Sequence, residues 1–88
     1  MKLSNELNES MNEQILHEYH NALVYAQIQS YFEELKIKKI AEYFKKQSIQ
    51  ETEHAQNFIQ YLNDRTGGKV SIREVYSPNL DLSSVESV

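Results

Sequence analysis

Apolar side chains recur in steps of three and four along the first stretch of the chain: Leu7, Met11, Ile15, then Ala22, Tyr25, Ile28 (or Gln29) and Phe32. That period marks one face of an amphipathic α-helix. Ser4 or Asn5 stands where an N-cap is wanted, and Glu6 follows on the favourable side of the helix dipole. A second stripe runs Ile40, Phe44, Gln47, Glu51, His54 (or Ala55), Phe58, and Tyr61 or Leu62. Gly and Pro are absent from Met1 to Thr66, while Gly67, Gly68 and Pro78 all fall in the last quarter. The first three quarters therefore read as helix and the remainder as something else.

No turn residue marks the break between the two stripes, so length has to place it. One unbroken helix from Asn5 to Asp64 would run about 90 Å at 1.5 Å per residue, which a small domain cannot use. A turn near Leu35 to Lys38 gives helices over about 5–35 and 38–65, folded back as an antiparallel hairpin over residues 1–66. Lys36, Lys38 and Lys39 cluster there, and Lys45 and Lys46 extend the basic patch, which reads as a solvated helix end and surface. Gly67 is placed to cap the second helix in the left-handed conformation. Residues 67–88 form an irregular tail. Val70 to Tyr76 alternates like a strand, but a lone strand has nothing to pair with, so an extended loop is expected. Ser77 to Val88 should be irregular, with Ser77-Pro78 a turn and Ser83 or Ser84 resembling a helix start.

Three polar residues interrupt the inward stripes: Glu18 on the first helix, and Glu51 and His54 on the second. Glu51-Thr52-Glu53-His54 is an E-x-x-H motif, with both ends on one helical face. With the turn at residue 36, Glu18 lies about 27 Å along its helix, Glu51 about 22 Å and His54 about 27 Å along the other. In an antiparallel hairpin the three meet at one depth. A carboxylate and an imidazole buried together need a partner, and a metal ion is one. Oxygen donors and a neutral imidazole suit iron or manganese, and zinc tolerates the same set. E-x-x-H alone is a weak signal, since both residues are common on helix surfaces. Tyr25, two turns beyond Glu18, reads first as a packed tyrosine with its hydroxyl satisfied. His17 and His20 fall off the stripe and read as solvated, and Glu53 should point outward.

Composition narrows the setting. Eighty-eight residues, 40% hydrophobic and 25% charged, allow one small domain with a modest core that often needs a metal or a partner as a staple. There is no cysteine, which excludes disulfides and thiolate chemistry. A net charge of −4 argues against nucleic acid as a partner. No apolar run approaches the roughly 20 residues of a membrane span, and the N-terminus lacks a hydrophobic signal core, so a cytoplasmic protein with no membrane partner is expected.

From end to end the chain resembles the N-terminal half of a prokaryotic non-haem ferritin. The resemblance is carried by Leu7-Asn8-Glu9 through Asn12-Glu13-Gln14, by Glu18-x6-Tyr25, by Ala41-Glu42-Tyr43-Phe44-Lys45-Lys46, by Gln50-Glu51-Thr52-Glu53-His54 and by Tyr61-Leu62-Asn63-Asp64. Thr66-Gly67-Gly68, Ser77-Pro78 and Ser83-Ser84 look like the long crossover that joins the second ferritin helix to the third. The resemblance implies that Glu18, Glu51 and His54 are iron ligands and Tyr25 the nearby tyrosine. It departs where the third and fourth helices would add their carboxylates. Gln50 stands where bacterial ferritins often carry an acidic residue, so an accessory third iron site is not implied.

Two one-sided helices cannot bury their stripes alone, and a second copy related by a two-fold axis would close an all-α, ferritin-like four-helix bundle. Two copies of Glu18, Glu51 and His54 then make the di-iron carboxylate set of two lone glutamates and two E-x-x-H motifs. The implied chemistry is ferroxidase: two irons per homodimer, oxidised from Fe(II) to Fe(III) by dioxygen or peroxide, with manganese or zinc as substitutes. The alternative is a non-catalytic hairpin acting as an interaction or assembly module, its partner a full-length ferritin subunit. A generic dimeric helical module would bind no metal at all.

Overall fold

The computed structural model describes residues 4–73. Two helices, α1 (Asn5–Glu34) and α2 (Lys38–Arg65), lie against one another as a hairpin. Ser4 is the N-cap of α1, its Oγ accepting from the Leu7 amide at 3.2 Å. The break between the helices carries no glycine because Lys36 itself takes the left-handed conformation, φ 60°. The Lys36 amide donates to the Glu33 carbonyl at 3.0 Å and the Ile37 amide to the Phe32 carbonyl at 2.9 Å. This is the two-bond Schellman closure, with a lysine in the seat that glycine usually fills.

Contacts across the hairpin pair residues at matching distances from the turn, as antiparallel helices must. Nearest the turn, the Phe44 ring stacks on Phe32 at 6.1 Å and tilts against Tyr25 at 5.9 Å. Farther along, the Ser48 hydroxyl donates to the Ala22 carbonyl at 2.8 Å, and the Gln56 amide donates to the Tyr19 hydroxyl at 3.2 Å. At the open end Ile15, Ala55 and Leu62 are fully buried and gather Met11, Tyr19, Phe58, Ile59 and Val70 around them. Burying Ile15 and Leu62 contributes about 1.5–3 kcal/mol each before entropy is counted.

The inward face of α2 departs from the expected stripe at Ile40 and takes the Ala55 and Leu62 alternatives at the later positions. Ala41, Ala55 and Leu62 are buried, whereas Ile40 and Tyr61 are exposed, as is Leu7 on α1; Leu16, on neither stripe, is buried. The reason is steric. Ala41, Ser48, Ala55 and Leu62 repeat every seven residues, the period that keeps one line of side chains facing a neighbouring helix. Small side chains on that line let the backbones approach closely enough for Ser48 to reach a backbone carbonyl of α1. Hydrophobicity alone ranks Ile40 above Ala41 and leaves the choice between Tyr61 and Leu62 open.

Gly67 ends α2 in the left-handed region, φ 68°, as expected. Residues 69–73 then run irregularly along the start of α1. The Asn8 carboxamide accepts from the Lys69 amide at 3.0 Å; Asn12 donates to the Lys69 carbonyl at 2.8 Å and accepts from the Ser71 amide at 2.6 Å. Two asparagines one helical turn apart thus satisfy a segment that has no strand to pair with among the described residues. Gly68 sits so close beneath them that a Cβ there would lie 2.5 Å from both Asn8 Oδ1 and Leu62 Cδ1. The expected turn at Ser77-Pro78 and the helix-start resemblance at Ser83-Ser84 lie outside the described residues.

Candidate metal centre

Glu18, Glu51 and His54 converge midway along the hairpin, between the aromatic packing near the turn and the aliphatic core at the open end. One ligand atom from each lies within 4.8 Å of the others, the one such grouping of three or more candidate ligands among the described residues. Helix geometry does this directly. Glu51 and His54 share a face of α2 at i and i+3, and Glu18 stands opposite on α1.

The two carboxylates are mostly withdrawn from solvent, with side chains 13% exposed for Glu18 and 16% for Glu51. His54 departs from the expectation of burial: its side chain is 54% exposed. The adjacent Ala55 takes the buried position on α2 because the small side chain fits where the helices are closest. His54 is left at the lip of an open groove of about 600 Å³ lined by Met11, Glu18, Asn57, Phe58 and Tyr61. Its Nδ1 faces Glu18 Oε2 at 3.7 Å and Glu51 Oε1 at 3.8 Å.

These separations test the fit to a cation. They are too long for hydrogen bonds, yet two bonds of about 2.1 Å each span them at an open angle around one ion. Glu51 Oε2 is buried with no hydrogen-bond donor among the described residues. Such an atom is costly unless something positive satisfies it. Hard oxygen donors with one imidazole match iron and manganese, and zinc less selectively. The residues fit, and Glu18, Glu51 and His54 would hold such an ion beside the groove.

The electrostatics carry the same message. Glu18 is held below its ordinary carboxylate range, first by a hydrogen bond with Glu51, with Gln14 and the charges of His54 and His17 adding to it against the cost of burial. Glu51 is pushed up by that same bond, then by burial and by the Glu18 charge, and His54 and His17 offset this only in part. With no cation between them, two withdrawn carboxylates this close repel, which is why Glu51 is pushed up while Glu18 is held down.

Tyr25 is not drawn into this cluster by any described contact; its ring lies on Phe44, the packing role that the sequence suggests for it first. Glu53 is exposed as expected, and so is His17. Two contributors are absent from the sequence reading. Gln14 donates from Nε2 to Glu18 Oε1 at 2.8 Å. The groove beside the ligands is the other. The spacing of Gln14, one turn before Glu18, is the signal that could have found the first. Nothing in the sequence predicts the second, because it depends on the small-residue seam that rotates α2.

The chain has relatives among known proteins. A family model described as "Ferritin-like domain" matches residues 8–88. The chain is 35% identical over 83 residues to the bacterial non-heme ferritin of Staphylococcus aureus (strain USA300), covering 94% of this chain and 49% of that protein. It is 38% identical over 79 residues to a chloroplastic ferritin-1 of Brassica napus (88% of this chain, 31% of that protein). It is 34% identical over 87 residues to a chloroplastic ferritin-4 of Arabidopsis thaliana (97% and 33%). The chain thus spans about half the length of the bacterial relative and a third of the plant ones. No helix among its described residues is long and apolar enough to cross a membrane. With the match reaching over nearly the whole sequence, the chain belongs to the ferritin-like family.

Proposed function

We propose that the chain binds iron through Glu18, Glu51 and His54 and oxidises Fe(II) to Fe(III) at a di-iron site completed across a two-fold axis by a second copy. The observation that carries this is the half-assembled donor set itself: two mostly buried carboxylates, one of whose oxygens has no hydrogen-bond partner among the described residues, beside a histidine that opens onto an apolar groove. A partner laid over Met11, Phe58 and Tyr61 would bury that groove and bring three more ligands to the same depth. Membership of the ferritin-like family supports iron as the metal. Dioxygen or peroxide takes the electrons, one from each Fe(II). The chain's own part is to hold the ions side by side, to leave positions open, and to offset the carboxylates' mutual repulsion with the cations they bind. Manganese and zinc are expected as substitutes. Tyr25 would stand near the site as a redox-capable phenol, and the cytoplasm is the setting this reading assumes, although the plant relatives are named as chloroplast proteins.

The test is the initial rate of Fe(II) oxidation in air, followed by ultraviolet absorbance, with assembly state measured by light scattering. The parent should oxidise iron faster than buffer and run as a dimer or a multiple of dimers. His54→Ala and Glu51→Ala should abolish the gain while remaining assembled, because each substitution removes two ligands from a symmetric site. Tyr25→Phe should act more mildly. If both ligand variants match the parent, the enzyme reading fails and the hairpin is an assembly module whose groove receives helices of a full-length ferritin subunit.

A further inference from the structure

The two carboxylates of the centre are held differently. Glu51 Oε2 has no hydrogen-bond partner among the described residues, whereas Glu18 Oε1 accepts a 2.8 Å hydrogen bond from Gln14 Nε2. Gln14 lies one turn before Glu18 in α1, and a glutamine there has the reach to lay its amide along the next turn. Only the NH₂ end of the amide can face an ionised carboxylate, so the chemistry fixes its orientation. The bond divides the labour of Glu18: Oε1 belongs to Gln14, and Oε2 is the oxygen turned towards His54 Nδ1, 3.7 Å away.

We infer that Gln14 is a positioning residue for the metal centre, restraining the Glu18 carboxylate so that Oε2 is presented to the ion. This rests on the proposed metal-binding reading. An unrestrained glutamate must lose its rotamer freedom at the moment of binding, and Gln14 removes part of that loss in advance. Partners one step behind metal ligands change affinity by about 10–100-fold when removed. Gln14 is exposed, so water competes for the same bond, and the low end, about ten-fold, is expected.

The experiment titrates the purified full chain with Co(II) alone, reading the dissociation constant and the visible absorption bands that report ligand geometry. Gln14→Met keeps length and helix propensity and removes the donor. It should weaken Co(II) binding about ten-fold and alter the absorption bands, with helicity and unfolding midpoint unchanged. Gln14→Ala, a better helix former, should show the same loss. In a Glu18→Ala background Gln14→Met should change nothing further, since the carboxylate it positions is gone. Binding within two-fold of the parent, or the same loss in the Glu18→Ala background, overturns the positioning role while leaving the metal site standing. A parent that takes up no Co(II) overturns both.

Discussion

Glu51→Gln separates the cost of the carboxylate cluster from its proposed use in binding metal. In the metal-free protein Glu51 brings a negative charge beside Glu18 and a buried oxygen without a donor. Glutamine has the same shape, carries no charge, and offers an NH₂ in place of one carboxylate oxygen. An unsatisfied buried acceptor costs about 1–3 kcal/mol; with the Glu51 side chain 16% exposed the lower part of that range applies, and relief should come to about 1–2 kcal/mol. For a domain of this size that is a rise in Tm of roughly 5–15 °C. The pH dependence has a definite sign. Glu51 is raised above 4.5 in the folded state, so the parent keeps its full stability from this group below about pH 4.5 and loses it as pH rises through the raised value. Glu18 is lowered and behaves oppositely, being stabilising above 4.5 and lost as pH falls through its folded value, but the glutamine amide preserves a donor towards it. The advantage of the variant should therefore be near zero below pH 4.5 and full at pH 8. The assay is urea or thermal unfolding in a chelator from pH 4 to 8, with Co(II) uptake measured separately and expected to collapse. A variant no more stable than the parent at pH 8, or equally advantaged at pH 4, would refute the account of Glu51 as a destabilised ligand.

Two further substitutions test the frame that carries the site. Lys36→Gly relieves a lysine held at φ 60° and should stabilise by about 0.5–1 kcal/mol net of glycine's unfolded-state entropy, read as a shift of the urea midpoint at constant m. Gly68→Ala drives a methyl into Asn8 and the fully buried Leu62 and should cost about 1–3 kcal/mol by the same measurement.

The hairpin was legible because its signals are local and repeated: stripes in steps of three and four, an N-cap at Ser4, Gly67 after the last helical turn, and a chain too long for one helix. The convergence of Glu18, Glu51 and His54 was legible for a related reason. Two positions on one helical face and one at the matching depth opposite are fixed once the turn is roughly placed. What escaped depends on how the helices meet. The seam of Ala41, Ser48 and Ala55 sets the rotation of α2, and that rotation decides that Ala55 is buried and His54 half exposed. The Asn8 and Asn12 bonds to residues 69 and 71 escaped because they join positions far apart in sequence through side chains that read as ordinary helix surface.

Those asparagine bonds set the order in which the molecule assembles and comes apart. The turn at Lys36 closes over a handful of residues, and each pair beyond it adds little loop, so the helices can zip outward from there. The Asn8–Lys69 and Asn12–Ser71 contacts span 61 and 59 residues, carry no covalent restraint, and lie on exposed backbone at the open end. Long-range contacts whose loops are closed last are the ones expected to open first. Opening them detaches Val70 from the core around Leu62 while the ligands at mid-hairpin stay in place. Amide exchange should therefore be fast at Lys69 and Ser71 and slow around Glu51, so that the hairpin breathes at its open end without loosening the cluster of Glu18, Glu51 and His54.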